Sequence, residues 1–329
     1  MNNIDKFNDN EERISDAVNV ARLYYHQGLK TETIAREMHV SRSTISRLLE
    51  FAKINGLVDI RVNDPNERPR VLERKFIDQF KIKSVHVVSV PEMAGEAAWL
   101  DRVAQFAAVH LNSLFGPEMV LGIAWGTTLT AISKHLLKKE TYNSHIIQLN
   151  GAGNIRTTGL DYAGEIINRF ADNYSARSHL FPVPTYFDQP QTKEWLWKEG
   201  SIRHILEIQE KADYLLYSIG AVNAGVPSHV HSAGYLNEKD YRELERLRIA
   251  GDIATVFFRE DGSFDNVPIN DRASGPNLEL FQKKHGICVV SGLAKIRGLH
   301  GALKGKLMTE LIVDEPTARK FAEKYFPEL

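Results

Sequence analysis

The feature that most constrains the fold of this chain is an alternation of short apolar segments with segments of helical periodicity, which begins at residue 84. Short apolar runs bounded by turn residues are typical of strands buried on both faces. The helical segments between them, such as 97–114 and 127–138, provide the crossovers that parallel strands need. The predicted strands are 84–90, 119–124, 145–149, 179–183, 214–219, 253–258, 287–291 and 310–313. The pattern therefore predicts an α/β fold with a mainly parallel sheet covered by helices on both faces.

The first part of the chain is organised differently, because it shows helical periodicity with little strand pattern. Three helices are predicted, at residues 11–27, 31–38 and 41–56. Thr31 and Ser41 are the predicted N-cap residues. The alternating segment 57–64 predicts a short strand, and the polar, proline-containing segment 63–70 predicts a linker. Since 329 residues exceed what one core normally covers, we expect two domains. Their predicted bounds are 1–62 and 71–329.

The second and third helices have the pattern of a helix-turn-helix, in the segment "IAREMHVSRSTISRLL" (34–49). Such a unit needs a small residue where its helices touch, and Ala35 stands there. The turn between the helices requires a positive φ angle, which we expect at His39. Apolar residues must hold the two helices together. The predicted core residues are Ile34, Met38, Val40, Ile45, Leu48 and Leu49. The strand predicted after the third helix would form a wing.

The outer face of this unit carries side chains of the kinds that read base edges or bind phosphates. The candidate DNA-binding residues are Arg36, Ser41, Arg42, Ser43, Thr44, Ser46 and Arg47. The formal net charge of −1 gives no general basicity, so DNA binding would depend on the local excess of basic over acidic residues here. The alternative is a helical docking or dimerisation module whose polar face is only solvated.

A candidate anion site follows the second predicted strand of the α/β region. In an open parallel sheet, ligands bind at the carboxyl ends of strands, where helix N-termini present backbone N–H groups. The segment "GIAWGTTL" (122–129) places Gly126, Thr127 and Thr128 at such a junction. Further glycine-containing strand ends are 149–154, 218–225 and Gly251-Asp252. A Gly-Thr turn that only caps a helix is common, so a structural role is the alternative.

Lys295 is a second candidate for anion binding. The segment 289–303 has the pattern of a strand, a glycine turn and a helix, with Lys295 in the first helical turn. A lysine at this position is unfavourable for the helix dipole unless an anion lies in front of it. Lys295 is therefore a candidate phosphate partner, and a solvated lysine is the alternative.

Together these segments resemble the SorC family of sugar-responsive bacterial transcriptional regulators. The resemblance rests on the helix-turn-helix, the linker and helix, "GIAWGTTL", "AGDIATVFF" and "SGLAKIRGLHGALKGKLMTELIVDEPTA", in that order. It implies a Rossmann-like effector domain related in fold to sugar-phosphate isomerases and deaminases. It also implies homo-oligomers, dimers or tetramers, that bind operator DNA and a phosphorylated sugar or polyol and that regulate carbohydrate catabolism.

Carried over by position, the resemblance also assigns effector-binding residues. Gly126, Thr127, Thr128 and Lys295 match the family's phosphate-binding elements, Gly151 matches its second glycine turn, and Gly220 and Asp252 match its sugar-side positions. In one branch of the family, a lysine able to form a Schiff base stands where this chain has Asn150. We therefore expect hydrogen bonds to sugar hydroxyls rather than covalent capture. A second departure is Ser291, where the family has the first glycine of a pair.

An enzymatic alternative is a sugar-phosphate isomerase or deaminase with an accessory N-terminal domain. Such an enzyme needs a carboxylate or histidine base within hydrogen-bond reach of the reacting carbon. Asp252 is the nearest candidate for that base. Accepting hydrogen bonds from two sugar hydroxyls requires no chemistry from Asp252, and this role is favoured. No catalytic residue is therefore predicted.

Neither a cofactor nor a metal site is predicted. His229 and His231 share one side of an extended segment, but no third ligand is evident, and a lid loop is the favoured interpretation. The single cysteine, Cys288, has apolar neighbours and is predicted to be a buried thiol. Without an apolar run long enough to span a bilayer, and without a signal peptide, a cytoplasmic protein with no membrane partner is expected.

Overall fold

The computed structural model describes residues 13–58, 68–221 and 234–326. The chain divides into two compact units, Met1–Pro65 and Asn66–Leu329. The boundary lies within the segment predicted as a linker, 63–70. The last part of that segment is not a linker, however, because the first helix of the second unit already begins at Arg68.

The first unit contains three helices. They are α1 (13–26, with its last turn, Arg22–His26, in π-helical form), α2 (Thr31–Glu37) and α3 (Arg42–Ile54). Ser41 caps α3 as predicted, since its Oγ accepts a hydrogen bond from the backbone N–H of Thr44 at 3.1 Å. The prediction for Thr31 is wrong, because Lys30 is the N-cap of α2 and no side chain caps that helix. The Thr31 hydroxyl donates to Glu32 instead.

The core of the first unit forms where α1, α2 and α3 meet. Its buried residues are Ala17, Val20, Ala21, Ile34, Ala35, Ile45, Leu49 and Ala52, with Met38 and Leu48 partly buried. His39 has the predicted positive φ, 55°. Val40 was predicted to lie in the core but is 39% exposed, because it belongs to the turn rather than to a packed helix face. Of the predicted strand 57–64, Leu57 and Val58 are not in a strand, and the rest lies outside the described residues.

The second unit is built on a seven-stranded parallel sheet. Its strands are β1 (Ser84–Val88), β2 (Val120–Ile123), β3 (His145–Gln148), β4 (Arg177–His179), β5 (Tyr214–Tyr217), β8 (His285–Val290) and β9 (Glu310–Asp314). An antiparallel hairpin, β6 (Ile249–Ile253) and β7 (Val256–Arg259), stands outside the sheet. The parallel α/β architecture agrees with the prediction from the alternating pattern.

Helices cover the sheet on both faces. They are α4 (Arg68–Phe80), α5 (Glu96–Leu114), α6 (Thr127–Lys134), α7 (Leu160–Tyr174), α8 (Pro190–Leu196), α9 (Gly200–Glu210), α10 (Glu238–Arg246), α11 (Leu278–Lys283), α12 (Ile296–Lys304) and α13 (Glu315–Tyr325). The two faces bury separate apolar clusters, since Leu311 and Val313 of β9 lie in one and Ile312 lies in the other. No helix among the described residues has the length and apolarity needed to cross a membrane.

Two strand predictions differ from the structure. The segment 253–258 is not one strand, because Ala254 and Thr255 take positive φ angles of 46° and 71° and form the turn of the β6–β7 hairpin. Hairpin turns usually contain Gly, Asn or Asp. Because this turn contains alanine and threonine instead, the sequence shows no break between the two strands. The predicted strand 179–183 is displaced to Arg177–His179, because Pro182 cannot donate a ladder hydrogen bond.

The strand order creates a crevice at the centre of the sheet. The order is β1-β9-β8-β5-β2-β3-β4. From β2 the chain proceeds outward to β3 and β4, and it then returns to the other side of β2 to form β5. The connections therefore leave β2 and β5 in opposite directions, which opens a crevice at the carboxyl ends of these two strands.

Candidate functional site

A cleft lies at this crevice and brings together residues that are far apart in the sequence. It contains about 590 Å³ of space not filled by atoms, a volume that includes space open to solvent. Seven of the eight predicted effector-binding residues line it. They are Gly126, Thr127, Thr128, Asn150, Gly220, Asp252 and Lys295.

Gly126 shapes the end of the cleft at the start of α6. It is the N-cap of that helix, and its φ of 146° lies in a region that favours glycine. A Cβ atom on Gly126 would meet no atom within 4 Å and would extend into open space. The first backbone N–H groups of α6 have no acceptor within the helix. Together with the helix dipole, they make this end of the cleft suitable for an anion.

Lys295 lies beside the same helix N-terminus and is not a solvated lysine, since it is only 7% exposed. Its Nζ donates hydrogen bonds to Oγ of Ser218 at 3.0 Å and to Oγ1 of Thr128 at 3.3 Å. Burial lowers the pKa of Lys295 to about 8, although Cys288 and Asp252 act in the opposite direction. Within the described residues the amine forms no ion pair, so an anion in the cleft would be its natural counter-charge.

Asp252 also lines the cleft, where it is held by its pairing with Gly220. The backbone N–H of Gly220 donates to the carbonyl of Asp252 at 2.9 Å. A Cβ atom on Gly220 would lie 1.9 Å from Oδ1 of Asp252. Glycine is therefore required for this buried carboxylate to lie over the end of β5.

Two further polar atoms in the cleft are buried without a hydrogen-bond partner among the described residues. They are Oδ1 of Asn150 and Oγ of Ser291. A buried polar atom without a partner costs about 1–3 kcal/mol, so a polar ligand in the cleft would recover this energy. The sequence pattern did not single out Ser218 as a site residue, although it stands directly after β5.

Gly151 is the predicted site residue that does not line the cleft. Its backbone N–H donates to Oγ of Ser274 at 2.9 Å. A Cβ atom on Gly151 would lie 2.3 Å from the carbonyl oxygen of Val183. Gly151 therefore permits the backbone of the β3 loop to pack closely against Val183. Ala254 and Thr255, with their positive φ angles, do line the cleft.

The predicted DNA-binding residues lie on α2, on α3 and at the N-cap of α3. All are exposed except Thr44, which is half-buried. The Ser41 hydroxyl is engaged in capping α3 and lies 2.7 Å from Oγ of Ser43. Arg42 pairs with Glu32 at 3.0 Å on the surface. The ion pairs of the described residues include neither Arg36 nor Arg47, and the side chain of Ser46 is exposed.

The remaining sequence predictions concern residues outside the cleft. His229 and His231 lie outside the described residues. Cys288 is fully buried as predicted, and burial raises the pKa of its thiol.

Comparisons with known proteins agree with this architecture. Residues 64–322 match the model of the Sugar-bind family, which describes a sugar-binding domain. The chain is 32% identical over 306 residues to the deoxyribonucleoside regulator of Bacillus subtilis, covering 92% of this chain and 96% of that protein. It is 24% identical to the sorbitol operon regulator of Klebsiella pneumoniae, covering 94% and 98%.

Solved structures show the same fold. A domain of a possible sugar-binding transcriptional regulator from Arthrobacter aurescens has a TM-score of 0.72 and 43% identity, covering 78% of this chain and 99% of that one. The full-length sorbitol operon regulator SorC of Klebsiella pneumoniae has a TM-score of 0.69 and 23% identity, covering 94% and 99%.

The fold, the cleft and these similarities define a transcriptional regulator with a sugar-binding domain. The chain belongs to the SorC family of sugar-responsive bacterial transcriptional regulators. The resemblance inferred from the sequence motifs is thereby confirmed.

Proposed function

We propose that this protein is a non-enzymatic, DNA-binding regulator of carbohydrate catabolism whose operator binding is controlled by a phosphorylated sugar or polyol. The observation that carries the proposal is the buried amine of Lys295, which faces the same cleft as the N-terminus of α6 and the Asp252 carboxylate. The cleft thus offers a positive group and a negative group to a ligand. A molecule that carries both a phosphate and hydroxyls matches this set of groups.

The phosphate end is formed by the start of α6, Thr128, Ser218 and Lys295. A phosphate offers only acceptor oxygens, and these groups supply an ammonium, hydroxyls and backbone N–H donors. The hydroxyls of Thr128 and Ser218 also hold the Lys295 amine in place. A bound phosphate would offset the burial of that amine, which makes the phosphate a favourable ligand group.

The sugar end is formed by Asp252, Asn150 and Ser291, whose oxygen atoms can accept hydrogen bonds from ligand hydroxyls. Asp252 is the only carboxylate among the described residues that line the cleft, and no histidine lines it. An isomerase or deaminase needs acid and base groups at the reacting carbon. Binding without turnover is favoured, because Asp252 can accept hydrogen bonds from sugar hydroxyls with no proton transfer and Lys295 can act as the counter-charge of a phosphate.

DNA binding is assigned to residues 1–62, and effector binding and oligomerisation to residues 71–329. The exposed arginines of the helix-turn-helix, Arg36 and Arg47, have the positions and charge needed for contacts with DNA. In a homo-oligomer, a dimer or a tetramer, paired units would span the two halves of an operator. The effector would favour one arrangement of the oligomer over another. The free energy of this shift can be no larger than the difference in the effector's binding free energy for the two arrangements.

The effector proposal is tested by thermal-shift measurements with matched ligand pairs. We would compare sorbitol with sorbitol 6-phosphate, and 2-deoxyribose with its 5-phosphate, extending to other sugars and polyols. A ligand at about 100 times its Kd stabilises by about 2.7 kcal/mol, which corresponds to roughly 5 °C or more for a domain of this size. We expect this shift with a phosphorylated ligand and not with its free counterpart.

Lys295→Met tests whether the thermal shift depends on the amine that is proposed to bind the phosphate. Lys304→Met is its control, because Lys304 is an exposed lysine of α12. The shift should be lost in the first variant and kept in the second. An unchanged shift in Lys295→Met would contradict the phosphate assignment. Turnover of the bound phosphosugar that stops in Asp252→Asn would instead establish the enzymatic alternative.

DNA binding is tested by selecting bound sequences from a random duplex library and measuring their affinity by fluorescence anisotropy. Arg47→Ala and Arg36→Ala should weaken binding and reduce its dependence on salt concentration. Arg242→Ala is the matched control, because Arg242 is an exposed arginine of α10 in the second unit. No enriched sequence and no salt-dependent binding would favour the docking-module alternative.

A further inference from the structure

A second polar cluster lies near the amino ends of β8 and β9 and is centred on Glu310. Glu310 is the first residue of β9, and its side chain is 4% exposed. Nε2 of His86, in β1, lies 3.0 Å from its Oε1, and Nε2 of His285, in β8, lies 3.1 Å from its Oε2. Nε2 of His110, near the end of α5, contacts Oε1 as well. Three histidines therefore surround one buried carboxylate.

The contact between His110 and Glu310 is unusual in its geometry. Nε2 of His110 is buried and makes no hydrogen bond of ordinary geometry, although it is directed at Oε1. An imidazole nitrogen and a carboxylate oxygen that face each other need a proton or a metal ion between them. Nε2 of His86, Nε2 of His110 and a carboxylate oxygen of Glu310 all lie within 4.8 Å of one another.

The kinds of donor atom, and the 3.0 Å between Nε2 of His86 and Oε1 of Glu310, suit a divalent transition metal of the zinc class. Nε2 of His110 contacts Oε1 more closely than two ligands of one ion do, so the His110 ring would have to shift outward when the ion binds. Imidazole nitrogen and carboxylate oxygen bind Zn²⁺ at roughly 2.0–2.2 Å, so ligand atoms around one ion are separated by about 3–3.5 Å. Two histidines and one carboxylate are a common ligand set for this ion. The side chains of His86 and His110 are 30% and 21% exposed, so the cluster lies close to the surface of the unit.

The surroundings of the cluster also suit a metal site. His285 contacts Oε2, the oxygen that faces away from the other two histidines, and would orient the carboxylate from outside the ligand set. The ring of Phe106 stacks on that of His110 at an interplanar angle of 12°. In the described part of the chain, the charged and polar side chains that contact Glu310 are all histidines, so no lysine or arginine already balances its charge.

We propose that His86, His110 and Glu310 bind one divalent transition-metal ion, with His285 positioning the carboxylate. Such an ion would tie α5 to β1 and β9. The site is distinct from the effector cleft, because Glu310 begins its strand whereas the cleft lies at the opposite, carboxyl ends of the strands. The proposal therefore stands or falls independently of the proposed effector.

The test uses the full chain, freed of metal with a chelator and then titrated with Zn²⁺, and with Co²⁺ as a spectroscopic probe. We expect one ion per chain, visible cobalt absorption bands of a site with nitrogen and oxygen ligands, and a rise in Tm on zinc binding. His86→Gln and His110→Gln should each weaken zinc binding at least about 10-fold, and His285→Gln by a smaller factor. Circular dichroism checks that each variant is folded.

His179→Gln is the matched control, because His179 pairs with His145 in another part of the sheet, at 2.8 Å between ring nitrogens. It should bind zinc like the wild type. Equal zinc affinity in all the variants, or no binding by the wild type at micromolar zinc, would overturn the proposal. Anomalous scattering from zinc-soaked crystals gives an independent position for the ion, and a peak located only away from Glu310 would also overturn it.

Discussion

Replacing Lys295 by methionine should stabilise the ligand-free protein at neutral pH. The substitution keeps the length of the side chain but removes the amine, which is buried at 7% exposure. Burial lowers the pKa of Lys295 from 10.5 to about 8, and this difference corresponds to about 3 kcal/mol of destabilisation when the amine is charged. Losing the two hydrogen bonds to Ser218 and Thr128 costs about 1 kcal/mol each. The expected net gain in the free energy of unfolding is therefore about 1 kcal/mol.

The pH dependence of this difference gives a sharper prediction than its size. Below pH 8 the amine is protonated in both the folded and the unfolded chain, so the destabilisation is fully present. Between pH 8 and 10.5 the unfolded chain binds more protons than the folded one, and the stability of the wild type rises with pH. The advantage of Lys295→Met over the wild type should fall by about 2 kcal/mol between pH 7.5 and 9.5.

The assay is denaturant unfolding followed by tryptophan fluorescence. The four tryptophans are Trp99, Trp125, Trp195 and Trp197, all in the second unit, so the signal reports the unit that contains Lys295. Lys304→Met, at an exposed position of α12, controls for the loss of one charge and should show no such pH dependence. A difference between Lys295→Met and the wild type that does not change with pH would refute the argument that the amine is held in an unfavourable environment.

Three further predictions concern packing, capping and reactivity. Gly220→Ala should weaken effector binding, measured by calorimetry, at least about 10-fold and should lower the free energy of unfolding by about 1–3 kcal/mol, because its Cβ displaces Asp252. Gly200→Ala is the control, since its Cβ meets no atom within 4 Å, and it should leave effector binding unchanged. Ser41→Ala removes the cap of α3 and should cost about 1 kcal/mol, measured as faster hydrogen exchange in α3; unchanged exchange would contradict the capping role. Cys288, which is fully buried, should react with a thiol reagent only after unfolding, and rapid labelling of the native protein would contradict its burial.

The sequence predicted most of the fold because the pattern is local. Each buried strand is a short apolar run, and each helix has its own periodicity and caps, as at Ser41. The β6–β7 hairpin was missed, because Ala254 and Thr255 take positive φ angles that only their surroundings in the folded protein can impose. Val40 was misplaced because its burial depends on how the turn leaves α2, which periodicity does not determine.

The sequence predicted the chemistry of the cleft better than its contacts. Glycines and hydroxyls at strand ends identified Gly126 and Thr128, since parallel strands bring their carboxyl ends to one edge. Nothing local indicated that Lys295 is buried, because its partners Thr128 and Ser218 lie 167 and 77 residues away in the chain. The cluster around Glu310 was missed for the same reason, since His86 is separated from it by 224 residues.

The central claim is that occupation of the cleft changes binding to DNA. The most direct measurement is the anisotropy titration of a selected DNA duplex with the full chain, with and without a saturating phosphorylated ligand found by thermal shift. We predict a change in Kd for DNA of about 5-fold or more in the wild type, the usual scale of allosteric coupling, and no change in Lys295→Met. A ligand that binds the wild type tightly but leaves its affinity for DNA unchanged would contradict the account.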